Sequence, residues 1–242
     1  MKLDVVVHCW QYARLLCYHL SSFWFNPPES DKLKVSVHVV HADDDEAVKK
    51  TLTFFLEQYG KDSPVNLFTT ELPRNQVCRR TIGRNMLALS TEADWVWFAD
   101  CDYVVGPKGL DALEQRLAEC PPDVSLAYPG RVMASTTQAD GDALINAIDE
   151  PKVVSIKNGH FSSLKYFFAI GGVQFVRGDY CREHGYLKDS KKYMRQASSW
   201  IRTFEDVPFR YACGKTHRFE ISDLYRIRHS VRGGFDKGTI VL

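Results

Sequence analysis

Residues 3 to 128 alternate short apolar, β-branched runs with amphipathic stretches, and no other feature limits the fold of this chain so sharply. Residues 3–7 read as a strand and 11–23 as a helix, after which Asn26-Pro27-Pro28 breaks the chain. Residues 35–40 read as a second strand. A helix over 46–58 follows, with Val48, Leu52, Phe55 and Leu56 on one face, Asp43 or Asp44 as its cap and Gly60 at its end. Further strands are expected at 65–68, 95–99 and 124–128, with helices over 76–90 and 110–119, the last stopped by Pro121-Pro122. Strands and helices in this rhythm predict an α/β fold, a mostly parallel, Rossmann-like central sheet flanked by helices. After residue 130 the rhythm gives way to loops, short strands and the pairs Gly171-Gly172 and Gly233-Gly234. No linker or repeat appears. A single domain over 1–242 is expected, with a regular half (1–130) and an irregular half (131–242).

The 242 residues can bury a sizeable core. A net charge of +1 gives no broad pull toward nucleic acid, and positive charge gathers only locally, over 177–232 and at Cys78-Arg79-Arg80 with Arg84. The seven cysteines fall at 9, 17, 78, 101, 120, 181 and 213 without a C-x-x-C pair, which predicts reduced thiols and a cytoplasmic setting. No signal peptide and no apolar run long enough to span a membrane is read. The aromatic stretch 12–25 is expected to pack as a core helix, a membrane-surface or partner face being the alternative.

The chemistry begins in "DWVWFADCDYVVG", a hydrophobic strand that ends in Asp100 and Asp102. Residues i and i+2 of a strand face the same side about 7 Å apart. Two bare carboxylates so placed repel one another. A hard divalent cation such as Mg²⁺ or Mn²⁺ relieves that and keeps positions open for phosphate. Ligands of open α/β sheets bind beyond the carboxyl ends of the strands, so the acids at 43–45 and 100–102 are expected to share one crevice. A structural reading, in which one acid caps the following turn, stands beside this. So does a second chemistry. A strand followed by D-x-D-x-V also opens haloacid-dehalogenase-like phosphatases, with Asp100 then the nucleophile. Such enzymes put the pair on their first strand and need a later acidic pair and a Lys, for which only Asp123 and Asp149-Glu150 are at hand.

The stretch "RTIGRNMLALSTEADWVWFADCDYV" resembles the donor half of GT-A glycosyltransferases, family 2 above all, in which an Arg-Asn pair on a helix precedes the strand and its Asp-x-Asp. Arg84-Asn85 occupy that place. "FAIGGVQFVRGDYCREHGYL" is similar to the acceptor-side segment, "SWIRTFEDVPFRY" carries a Glu-Asp pair, and "YRIRHS" ends in His229. The resemblance implies a metal-dependent enzyme that moves a sugar from a nucleotide-diphosphate sugar, UDP by family habit, to an acceptor hydroxyl, with inversion. It implies Asp206 as general base with Glu205 as fallback, and Asp100, Asp102 and His229 as ligands of Mn²⁺ or Mg²⁺. His8, Asp43 or Asp44, Arg84, Asp100, Gly172 and Arg232 are implied as donor contacts. The tail "HSVRGGFDKGTIVL" is expected to fold over the bound donor. A non-catalytic sugar-nucleotide-binding module is the remaining alternative. The acceptor, a saccharide or another hydroxyl compound, stays open, as does the oligomeric state. The pairs Phe54-Phe55 and Phe167-Phe168 are read as core.

Overall fold

The computed structural model describes residues 1–59, 63–139, 142–200, 203–232, 235 and 240–241. The first half runs β1 (Lys2–Cys9), α1 (Ala13–Phe25), β2 (Lys34–Ala42), α2 (Glu46–Tyr59), β3 (Val65–Leu72), α3 (Arg74–Val77), α4 (Arg80–Ser90), β4 (Trp95–Asp100), β5 (Tyr103–Val105), α5 (Gly109–Ala118) and β6 (Leu126–Pro129). The second runs β7 (Arg131–Ser135), α6 (Ala143–Asn146), β8 (Phe161–Lys165), β9 (Val173–Arg177), α7 (Gly178–His184), α8 (Lys191–Met194), α9 (Asp206–Cys213), β10 (Thr216–Phe219), β11 (Leu224–Arg226), β12 (Val231–Arg232) and β13 (Ile240–Val241).

The main sheet has the order β10-β6-β9-β4-β1-β2-β3. Its pairings are parallel except those of β9, which runs antiparallel between β4 and β6. The expected α/β class is therefore the observed one, with a strand from the irregular half inserted into the sheet. Val5, Val6 and Val7, like Val96 to Ala99, are buried in unbroken runs because helices cover both faces. A smaller sheet, β5-β11-β7-β8, starts at Tyr103, three residues past the carboxyl end of β4. Among the described residues no helix is long and apolar enough to cross a membrane. All seven cysteines are free and buried.

Several local expectations change. The helix expected over 76–90 is two, broken at Cys78-Arg79, where α3 stops after one turn. The cap of α2 is neither Asp43 nor Asp44 but Asp45, whose Oδ1 accepts from the Val48 N–H at 3.3 Å while Oδ2 accepts from the Gln11 N–H at 2.6 Å. Leu56 faces solvent at 45% exposure, and Thr51 and Tyr59 complete the buried face instead. Helix α1 packs in the core, buried from Ala13 through Phe23 except at Arg14. The Phe167-Phe168 pair, expected in the core, is exposed. Gly60 and the pair Gly233-Gly234 lie outside the described residues, as does half of the tail expected to close over a ligand.

Candidate active site

The register of β1 against β4 sets His8 beside Asp100 at the carboxyl ends of both strands. Helix α4 reaches the same point because Gly83 lies against β2. A Cβ there would come within 2.8 Å of the Val40 side chain, so a larger residue would push the helix away. Arg80 and Arg84, one turn apart, thereby both reach the end of β4. β11 pairs with β5 and sets Arg226 opposite Tyr103, next to Asp102. His229 is held by a bridge to Gln138. Together these elements enclose a cavity of about 790 Å³, lined among others by His8, Arg80, Asp100, Asp102, Asp206 and His229.

The strand ends at Asp100, and the two acids turn to different partners. Asp100 Oδ1 accepts from Arg80 Nη1 and Arg84 Nη2, each at 3.0 Å. Asp102 Oδ2 accepts from Arg226 Nε at 2.8 Å. Guanidinium groups thus supply the positive charge that two neighbouring carboxylates require. Burial alone would raise the Asp100 carboxyl, but Arg80 and Arg84 outweigh it and hold it below the usual range. Arg84 is fully buried and also donates to the Gly171 carbonyl at 2.8 Å, so it stands behind Asp100 and does not line the cavity. Arg80 takes the lining position instead.

Glu205 is buried. Its Oε1 accepts from Arg80 Nε at 2.7 Å and its Oε2 from the Thr203 hydroxyl at 2.5 Å. Burial would raise its carboxyl, yet Arg80 and then Arg84 bring it down to about 2. Glu205 and Asp206, the first residue of α9, both line the cavity, but both Glu205 oxygens are engaged and Asp206 is the more exposed of the two. Of the adjacent pair, Asp206 is the acid open to a ligand.

His8 is 4% exposed and neither ring nitrogen has a hydrogen-bond partner. Burial, Arg80 and Arg84 push its pKa down to about 3, against a weaker pull from the Val77 backbone, so it faces the cavity as a neutral imidazole. His229 Nδ1 donates to the Val231 carbonyl at 2.9 Å, which leaves the Nε2 lone pair turned toward Asp102 Oδ2, 4.0 Å away. Burial lowers its pKa as well. Asp102 Oδ1 is buried with no partner, and the ion pairs of Asp100 all use its Oδ1. An oxygen on each acid and the His229 nitrogen are therefore suited to a hard cation, although among the described residues no three such groups are gathered closely enough to hold one by themselves. Gly172 lines the cavity, and its missing side chain answers to packing. A Cβ would lie 2.3 Å from the Tyr103 ring and 3.0 Å from Asp100 Oδ2.

Arg232 is the surplus charge. It is 6% exposed, and among the described residues it has no carboxylate partner. Its guanidinium lies 5.3, 4.6 and 4.7 Å from the ring centres of Trp10, Tyr12 and Trp200, and Nη2 donates to the Tyr12 hydroxyl at 2.8 Å. Trp10 and Trp200 stack at 6.0 Å. Arg80 was read only as part of a local basic spot with Arg84, and Arg226 and these aromatic walls were not singled out in the sequence. The i, i+4 spacing of Arg80 and Arg84 was the available signal for the first of them. Asp43 and Asp44 do not join the site. Both are exposed, Asp44 pairs with Arg74, and neither lines the cavity. The partners that a phosphatase reading needs are also elsewhere, since Asp123 pairs with Lys215 and Asp149 with Lys152, all off the cavity lining.

No family model and no curated protein matches the sequence. Solved structures do match the fold. S. aureus TarS 1–349 in complex with UDP-GlcNAc superposes with a TM-score of 0.56 at 16% identity, over 99% of this chain and 62% of that one. The same protein in complex with UDP gives 0.59 at 15% identity, over 94% and 60%. The mannosyltransferase PcManGT from Pyrobaculum calidifontis, in complex with GDP-Man and Mn²⁺, gives 0.56 at 13% identity, over 93% and 56%. This chain shares their fold. It spans about three fifths of their length.

Proposed function

We propose that this chain is a GT-A-type glycosyltransferase that moves a sugar from a nucleotide-diphosphate sugar to an acceptor hydroxyl, with inversion. The observation that carries the reading is Arg232, a buried cation that among the described residues has no carboxylate partner, facing a cavity in which every other lining arginine is paired with an acid. Such a charge calls for an anion. A diphosphate suits it, and the solved structures with this fold carry UDP, UDP-GlcNAc or GDP-Man.

In this reading Arg232 and Arg226 steady the diphosphate, and the rings of Trp10 and Trp200 border the nucleotide. The neutral His8 offers a hydrogen bond to the donor. Asp102, Asp100 and His229 would hold Mn²⁺ or Mg²⁺, which when bound supplies Lewis-acid stabilisation to the leaving diphosphate. The regular half carries the donor together with Trp200, Arg226, His229 and Arg232 of the irregular half, which also receives the acceptor. Asp206 takes the proton of the acceptor hydroxyl as its oxygen bonds to the anomeric carbon. The bond from that carbon to the diphosphate oxygen breaks, and the electron pair leaves with the diphosphate. Attack opposite the leaving group inverts the centre. Glu205 holds Arg80 in place and takes no proton.

The test is nucleotide release from UDP-, GDP-, CDP- and dTDP-sugars by the wild type and by Asp206→Asn. Release from one donor class, reduced at least 100-fold in the variant while donor binding persists, supports the assignment. Equal release by both proteins would remove Asp206 from the reaction.

A further inference from the structure

Large aromatic rings crowd the mouth of the same cavity on the side of Asp206. Phe168 and Phe204 line it and are 51% and 56% exposed. Phe167, next in the chain, is 78% exposed, and Tyr211 on α9 is 75% exposed. Arg210 ties part of this surface together. Its guanidinium lies 4.4 Å over the Phe168 ring and 5.4 Å from the Tyr211 ring centre, and it donates to the Ala169 carbonyl at 2.8 Å.

Full burial of a phenylalanine is worth about 1.5–3 kcal/mol, and the half-exposed Phe168 and Phe204 forgo part of it. Phe204 carries strain as well. Its φ is +52°, a left-handed conformation that is an outlier for a bulky residue and costs of order 1–3 kcal/mol. The next residue, Glu205, is held by Arg80 and Thr203. A half-exposed aromatic ring thus lies two residues before Asp206 in the cavity lining.

We infer that these rings form the acceptor platform and that the acceptor is a saccharide. This rests on the transferase reading above. A pyranose has a C–H face and a rim of hydroxyls. Its C–H face matches the negative face of an aromatic ring, and its rim stays free for polar groups. Phe168 and Phe204 supply the flat surface, and Asp206, lining the same cavity, meets the hydroxyl that reacts. An acyl chain would need a closed apolar slot. This surface is open to solvent and bordered by Arg80, Arg210 and Asp206.

The test is saturation-transfer NMR with the methyl glycosides of glucose, galactose, mannose and N-acetylglucosamine, on the wild type, Phe168→Ala, Phe204→Ala and the strain-relieving Phe204→Gly. Melting curves check that each variant folds, and a nucleotide-sugar thermal shift is recorded in parallel. The platform predicts transfer to the ring C–H protons of at least one glycoside, at least fivefold weaker in all three variants, with the nucleotide-sugar shift retained. Absence of transfer to any glycoside from a protein that still shifts with nucleotide sugar overturns the saccharide acceptor, as does transfer that survives every substitution. Transfer without any nucleotide shift keeps the platform and overturns the transferase reading.

Discussion

Arg80 and Glu205 stand 125 residues apart in the sequence and 2.7 Å apart in the wall of the cavity. Through Arg80 the acid just before α9 is tied to Asp100 at the end of β4. Glu205→Gln removes one charge of a buried pair and leaves Arg80 undercompensated. A loss of about 3 kcal/mol is expected in urea unfolding. Asp206→Asn, one residue on and outside this network, is expected to change stability by less than about 0.5 kcal/mol.

The same pair gives a pH dependence. The Glu205 carboxyl is lowered from 4.5 to about 2 in the folded chain. Its contribution is therefore complete above about 4.5 and is lost as pH falls through about 2, where the folded protein also takes up the proton. The gap in melting temperature between wild type and Glu205→Gln is expected to be constant from pH 7 to 5 and to shrink between about 4.5 and 2. A gap that widens toward acid would contradict the pairing.

Gly172→Ala places a methyl group against Tyr103, whose hydroxyl is hydrogen-bonded to that of Tyr166 at 2.9 Å and whose ring is fully buried. The bond to Tyr166 holds the ring against the added methyl group. Overpacking of this kind costs about 1–3 kcal/mol, readable as a lowered urea midpoint with an unchanged slope.

Arg232→Ala deletes the cation at the centre of the aromatic box. The dissociation constant of the preferred nucleotide sugar, measured by calorimetry, is expected to rise at least tenfold, equivalent to about 1.4 kcal/mol. Arg232→Lys is expected to recover little, since a compact ammonium cannot stack on three rings at once.

The sheet was legible because a parallel sheet covered on both faces writes itself as unbroken apolar runs, as at Val5 to Val7 and Trp95 to Ala99. Asp100, Asp102, Asp206, His229 and Arg232 were legible as types at particular places, and the fold brings them to one cavity. The partners were not. Which arginine meets which acid depends on the approach of α4 to β2 at Gly83 and on the pairing of β11 with β5, contacts made between distant parts of the chain. Asp43 and Asp44 misled because their place after β2 fits a ligand crevice, while their outward orientation and the Asp44–Arg74 pair are set by neighbours in space. The Phe167-Phe168 pair misled in the opposite sense, since hydrophobicity alone does not separate a core pair from a displayed one.

The most direct measurement is a thermal-shift panel of UDP-, GDP-, CDP- and dTDP-sugars on the wild-type chain, each with and without Mn²⁺. A ligand that binds only the folded state raises the melting temperature. The account predicts a rise for one nucleotide class, enlarged by Mn²⁺ and lost in Arg232→Ala. No rise with any donor, with or without the metal, would contradict it.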